Sequence, residues 1–174
     1  FAKNQANIIS RTNIRKFQFY IQMIPRQFKG LNLRYVRLGE KSKIPIDKAW
    51  SKYPLSLDQI EIWIEAGGNY GVATGIAYIV IVDADHAKAI ELAEQLPPTF
   101  TVRTVTGAAH YYYICIEWAE HGRIKLNDGK IHLGEILLKG NQGVGPNNYV
   151  ECVKVINGIS KEFKGTYEII KDLP

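Results

Sequence analysis

The chain has 174 residues, of which 46% are hydrophobic and 22% charged, as in an ordinary soluble globular domain. No apolar run approaches the roughly 20 residues of a membrane-spanning helix, and the basic N-terminal segment is unlike an export signal. We therefore expect a cytoplasmic protein without a membrane partner. The net charge of +5 hides an asymmetry, because residues 1–55 contain twelve Lys and Arg against two acids, while residues 56–174 contain ten against fifteen. Such a basic lobe suits a polyanion, although charge runs are also common on solvated faces.

The first 34 residues predict a basic segment that contains an amphipathic helix. Apolar residues recur at roughly helical spacing up to about Met23, and Pro25 ends the pattern. We expect residues 1–34 to pack on residues 35–174, so that the chain forms a single compact domain. The basic face of the helix is equally suited to solvent and to nucleic acid; it consists of Arg11, Arg15 and Lys16.

Strands dominate the rest of the chain. The predicted strands are, in order, 33–38, 70–75, 78–82, 100–104, 111–116, 130–138, 143–145, 149–156 and 166–170. One helix begins at the capping box Ser56–Gln59 and ends at Gly67-Gly68, and another follows Asp85 and ends at Pro97-Pro98. The polar segments 117–129 and 157–164 predict loops. This succession predicts an α+β fold, a mixed β-sheet with helices mainly on one face.

The strand that begins at Tyr78 ends in two carboxylates, Asp83 and Asp85. Its continuous apolar run indicates burial on both faces. Side chains alternate along a strand, so the two carboxylates project to the same side, roughly 6–7 Å apart. They repel each other and resist burial, which a pair of divalent cations would relieve. In the alternative, both lie in solvent and one caps the helix that starts near His86.

A turn of small residues precedes His110. Arg103, Thr104 and Thr106 lead into Gly107, where the backbone could approach a ligand closely. A histidine beside hydroxyl groups and free backbone N–H groups suits phosphate oxygens. The alternative for His110 is a core histidine that pairs with a backbone carbonyl.

Glu135 and Lys139 complete the candidate set. Glu135 follows a glycine in an apolar stretch and could complete a three-carboxylate cage with Asp83 and Asp85. The Gly/Asn-rich segment 139–148 could wrap a nucleotide with Lys139 on its phosphates, or could be a plain hairpin. Two cysteines, in apolar contexts without metal-ligand spacing, predict free thiols and no zinc.

In order, these pieces resemble the catalytic domain of bifunctional DNA primase–polymerases, the Prim-Pol branch of the archaeo-eukaryotic primase superfamily. The resemblance covers about residues 35–170 and implies the primase-polymerase fold, with an RRM-like catalytic core. Its motifs are Lys43-Ile-Pro45 with Trp50, the helix carrying Trp63, Asn69–Gly75, Asp83-Ala-Asp85, Thr104–His110, Glu135, Gly145-Pro146 and Gly165-Thr-Tyr167. The chain departs from the family pattern at Glu135, where aspartate is often found.

The resemblance implies template-dependent nucleotidyl transfer, by a DNA primase or DNA polymerase that uses two Mg²⁺ or Mn²⁺ ions. The catalytic metal ligands would be Asp83, Asp85 and Glu135. The candidates for nucleotide binding are His110, Thr104, Thr106, Arg103 and Lys139. The implied partners are a DNA template and primer, dNTPs or NTPs, and a helicase module in the same or a neighbouring chain. The setting would be replication of a plasmid, a virus or a mobile element.

Two other functions stay open. A non-catalytic single-stranded DNA-binding module would keep a primase-like sheet and stack bases on exposed aromatic rings. The candidate rings are Tyr111, Tyr112, Tyr113 and Trp118. Clustered carboxylates argue against this function, because they repel a polyanion. A metal-dependent nuclease would share the carboxylates but would not explain His110 or the segment 139–148, which suits a triphosphate.

Overall fold

A computed structural model describes residues 23–117, 122–156 and 158–173. The helix predicted before Met23, with its basic face, and Trp118 lie outside these residues. The described helices are α1 (Arg26–Lys29), α2 (Leu57–Glu65) and α3 (Ala87–Ala93). The strands are β1 (Tyr35–Leu38), β2 (Asn69–Ala73), β3 (Ile79–Ala84), β4 (Phe100–Arg103), β5 (Ala109–Ile114), β6 (Arg123–Asp128), β7 (Ile131–Leu137), β8 (Gln142–Val144), β9 (Tyr149–Ile156), β10 (Ile159–Thr166) and β11 (Glu168–Lys171). Within the described ranges, no helix is long and apolar enough to cross a membrane.

The strands form a six-stranded sheet in the order β11-β4-β5-β3-β7-β6, a three-stranded sheet β1-β2-β8, and a separate β9–β10 hairpin. The α+β class is confirmed. The described strand pairs are all antiparallel, so the sheets are not mixed in direction. Most successive strands are joined by connections too short for a parallel crossover, which requires a dozen or more residues.

Two hydrophobic cores cover opposite faces of β3. Ile79 and Ile81 belong to the larger core, together with Phe28 of α1 and Ile60 and Ile64 of α2. On the other face, small residues of α3 pack against Val82, Ala84 and Ala109. The expectation that the helices lie mainly on one face is therefore met by two of the three described helices, while α3 lies on the other face. The prediction that β3 is buried on both faces is confirmed.

Two predicted loops contain strands. Residues 123–128 form β6, and residues 159–166 form β10, which pairs with β9 along its whole length. Both strands are largely exposed, with few buried side chains. An exposed strand can be polar because backbone pairing holds it, and its sequence then lacks the apolar alternation by which a strand is recognised. Cys115 and Cys152 are free thiols.

Candidate active site at the end of strand β3

A row of polar side chains crosses the middle of the six-stranded sheet. Asp83 on β3 is directly opposite His110 on β5 and Glu135 on β7. Residues directly opposite each other in a sheet project to the same face, so these three side chains share one face. Asp85 follows two residues after Asp83 and lies on the same side by strand alternation. The sheet therefore brings together four predicted site residues from three distant parts of the chain.

His110 is buried beside Asp83. Its side chain is 6% exposed, and its Nε2 lies 3.3 Å from Oδ1 of Asp83. The rings of Tyr112 and Tyr167 lie close by, with centroids 6.4 and 5.6 Å from that of His110. Nδ1 has no hydrogen-bond partner among the described residues and lies near Gly143 of β8. His110 is thus held by a carboxylate, not by the backbone carbonyl of the alternative interpretation.

Asp83 is held in its ionised form. Burial raises the pKa of a carboxyl group, because water no longer stabilises the charge. His110 opposes this effect through its charge and its hydrogen bond, and the positive charges of Lys154 and Lys43 add to it. The net result is a pKa below the ordinary value of aspartic acid. The site therefore presents a negative charge to any cation that enters.

The other two acids are paired with basic side chains. Nζ of Lys154, on β9, lies 2.7 Å from Oδ1 of Asp85. Nη1 of Arg123, on β6, lies 2.8 Å from Oε2 of Glu135. Neither pairing is visible in the sequence, since residues 123–128 were expected to form a loop and β9 was not expected to lie beside Asp85. These basic residues are the functional candidates that sequence reasoning missed.

The predicted three-carboxylate cage is not assembled. In the part of the chain that the structure describes, no group of three or more His, Cys, Asp and Glu side chains is placed to hold a metal ion. The chemistry of the donor set still fits Mg²⁺ or Mn²⁺, because three carboxylates on one face supply the oxygen ligands that these ions prefer. Their side chains are accessible, at 26% exposed for Asp83, 30% for Asp85 and 18% for Glu135.

Gly134 permits β3 and β7 to approach each other closely. Its φ is +150°, and a Cβ atom there would lie 2.0 Å from the backbone oxygen of Asp83. The backbone oxygen of Leu133 accepts hydrogen bonds from the N–H groups of Asp85 and His86, at 3.0 and 3.1 Å. The side chain of His86 caps α3 by accepting from the N–H of Lys88. The alternative in which an aspartate caps this helix is therefore wrong.

Thr104 and Thr106 lie in the turn beside the row. Val102 is opposite His110, so Thr104, two residues on, lies on the same face of the sheet. Its Oγ1 lies 3.0 Å from that of Thr106, and its backbone oxygen accepts from Gly107, which has a φ of +84°. Both hydroxyl groups thus lie at the edge of the site.

Arg103 and Lys139 are not brought to the row. Arg103 is opposite Ala109 and so lies on the other face of the sheet, with Nη1 3.8 Å from Oε2 of Glu168. Lys139 comes two residues after Leu137, which is opposite Ile81. It lies near the start of β3, about 13 Å from the Asp83 end by the strand rise.

The family described as "Bifunctional DNA primase/polymerase, N-terminal" (Prim-Pol) matches residues 26–156. No curated protein shows a significant match to the chain. The matched range covers well over half of the 174 residues, and it contains β3, β5 and β7 with Asp83, His110 and Glu135. The chain belongs to the bifunctional DNA primase/polymerase family.

Proposed function

We propose that the protein adds nucleotides to a growing strand under the direction of a template, as a DNA primase or DNA polymerase. Membership of the family implies nucleotidyl transfer in general, with nucleic acid and nucleotides as substrates. The observation that carries the proposal is the row of Asp83, His110 and Glu135 across three neighbouring strands, with Asp85 on the same face. Phosphoryl transfer needs positioned groups and charge neutralisation more than covalent chemistry, and this row can supply both.

The three carboxylates are the proposed ligands for Mg²⁺ or Mn²⁺. Such ions would lower the pKa of the primer 3′-hydroxyl group and neutralise the triphosphate and the leaving pyrophosphate. For Asp85 and Glu135 to bind a cation, Lys154 and Arg123 would have to release them. Both basic side chains are partly exposed and can turn toward phosphate oxygens instead. In the absence of metal ions, Lys154 and Arg123 thus neutralise the proposed metal ligands. Once metal ions bind, the two basic side chains could contact the anionic substrate.

His110 is the proposed phosphate contact. It lies beside Asp83, and its ring packs near Tyr112 and Tyr167, so its orientation is restrained. A protonated imidazole donates from both nitrogens and suits triphosphate oxygens. Thr104 and Thr106 at the edge of the same face are further candidates for these oxygens. Arg103 and Lys139 would need a different part of the substrate, because they lie on the other face and at the far end of β3.

The strand order supports an RRM-like core. Strands β4, β5, β3 and β7 are successive neighbours within the six-stranded sheet, and α3 connects β3 to β4. In this arrangement the first and third strands of the unit, β3 and β5, are central and carry Asp83 and His110, while Glu135 lies on the neighbouring strand β7. The central pair is the most constrained part of a sheet, and this favours accurate placement of Asp83 and His110.

The test is a template-directed extension assay with and without primer, comparing dNTPs with NTPs in Mg²⁺, Mn²⁺ and chelator. We expect metal-dependent incorporation by the wild-type protein and a loss of about 100-fold or more in Asp83→Asn. The matched control is Asp128→Asn, which removes an exposed acid at the edge of the same sheet. Full activity of Asp83→Asn would overturn the proposal.

A non-catalytic strand-binding module is the second candidate. The ion pairs of Asp85 with Lys154 and of Glu135 with Arg123 favour it, because they leave little free negative charge. Its expected stacking surface is weakened, since Tyr111 and Tyr112 are 2% and 3% exposed and belong to the two cores. Strand binding without any incorporation, in every metal tested, would favour this candidate.

A further inference from the structure

The β9–β10 hairpin is an arm of eight residue pairs, from Tyr149–Thr166 to Ile156–Ile159. It pairs with no other strand of the described structure. At about 3.3 Å per residue it is roughly 25 Å long. Lys154 lies on the face that contacts Asp85, which we term the inner face. By register, the inner face consists of Val150, Cys152, Lys154, Ile156, Ile159, Lys161, Phe163 and Gly165.

Charge on the arm is divided by face. The inner face carries two charged residues, Lys154 and Lys161, and they are directly opposite each other. The outer face places Glu151 opposite Lys164, and it also holds Glu162. Opposite charges across a strand pair are favourable, whereas like charges directly opposite each other are destabilising. The inner face thus places two cations directly opposite each other, with no acid on that face of the arm, an arrangement that the outer face avoids.

Asp85 compensates one of the two lysines. It contacts Lys154, while Lys161 has no ion-pair partner among the described residues and is exposed. A phosphate group placed between the two ammonium groups would remove their repulsion and bind to both. Phe163 is half-buried on the same face, two residues from Lys161, where a ring can stack on a base.

We propose that the inner face of the β9–β10 arm binds the phosphate backbone of a single-stranded nucleic acid and holds the strand against the acid site. The inference rests on the proposed function, in which such a strand is a substrate. A strand suits the surface better than a free nucleotide does, because the arm is several nucleotides long. Lys154 of the pair contacts Asp85, which comes two residues after Asp83. The lysine pair is therefore separate from the row that contains His110, the proposed triphosphate contact.

The experiment is fluorescence anisotropy with a labelled oligodeoxythymidine of about twenty nucleotides, in chelator and without nucleotide. We expect Lys161→Ala to weaken binding about fivefold at roughly 0.1 M salt, and to reduce the slope of log K against log salt by about 0.7, the release expected for one phosphate contact. Lys161→Arg should restore binding. The matched control is Lys164→Ala, which removes the same charge from the same strand on the outer face, and we expect it to bind within twofold of wild type.

The proposal is overturned if Lys161→Ala binds the strand as wild type does, or if Lys164→Ala weakens binding equally. It is also overturned if Lys161→Ala keeps strand binding but loses affinity for a fluorescent dNTP, since the lysine would then hold the nucleotide. Circular dichroism of each variant checks that the fold is intact. Strand binding that depends on Lys161 in a protein that never incorporates nucleotide would support the arm and reject the proposed function. Nucleotide incorporation by a protein whose strand binding does not depend on Lys161 would support the proposed function and reject the role of the arm.

Discussion

Nε2 of His110 lies 3.3 Å from Oδ1 of Asp83, and the two residues are directly opposite each other on β5 and β3. They are 27 residues apart in the sequence, with α3 and β4 between them. The sheet register therefore creates the contact, and local sequence does not. The predicted metal-binding acid and the predicted phosphate-binding histidine thus form one unit.

Replacement of His110 by alanine should chiefly weaken nucleotide binding. We expect KM for the nucleotide to rise about tenfold, as for the loss of a charge-assisted hydrogen bond, with a smaller change in kcat. His132→Ala, which removes an exposed histidine on β7, is the matched control. Steady-state kinetics measures both constants. Unchanged constants in His110→Ala would leave the histidine with a purely structural role.

Binding of Mn²⁺ should depend on the aspartate pair. Titration followed by the electron paramagnetic resonance signal of free Mn²⁺ should show binding to the wild type and its loss in the double variant Asp83→Asn, Asp85→Asn. Arg123→Ala should bind Mn²⁺ more tightly, because Glu135 would no longer be paired with a guanidinium group. Equal Mn²⁺ affinity in wild type and the double variant would contradict the assignment, whatever the activity.

Gly134→Ala should destabilise the sheet where Asp83 lies. The added Cβ would lie 2.0 Å from the backbone oxygen of Asp83, and a φ of +150° strains any residue other than glycine. We expect a loss of about 3 kcal/mol in the free energy of unfolding. Denaturant titration measures it, with Gly30→Ala as the control, because nothing lies within 4 Å of a Cβ built at that position. A loss no larger than that of the control would show that β3 and β7 can move apart freely.

Asp47 should make stability fall at acid pH. Hydrogen bonds from Arg37, at 2.9 and 2.5 Å, lower the pKa of Asp47 against the smaller opposing effect of burial. A carboxyl group with a lowered pKa in the folded state stabilises it above the unfolded pKa, and this contribution is lost as pH falls through the folded pKa.

We therefore expect Asp47→Asn to cost about 1 kcal/mol near pH 7, a modest value because the pair is partly exposed, and less near pH 3. Chemical denaturation at both pH values gives the comparison. Glu40→Gln, which removes an acid in the same loop region, is the control. A cost for Asp47→Asn that stays constant from pH 7 to pH 3 would contradict the assignment of this ion pair.

Much of β3 and its surroundings could be predicted from local patterns. The apolar run from Ile79 to Val82 specifies a strand buried on both faces, and Ser56 with Gln59 correctly marks the start of α2. Buried positions are occupied by apolar residues, so a buried strand or helix can be recognised from the spacing of apolar residues in the sequence. The strands β6 and β10 lack this apolar spacing, because backbone hydrogen bonds hold them in place and most of their side chains are exposed to water.

The sequence by itself determined the family, the acid pair at the end of β3 and the candidacy of His110 and Glu135. Only the tertiary structure decided that Arg103 and Lys139 lie away from the row, and that Lys154 and Arg123 neutralise Asp85 and Glu135. The reason is physical. Type and order of residues are carried by the chain, but strand register decides which side chains face each other. Lys154 and Asp85 are 69 residues apart, so no local sequence pattern predicts their contact.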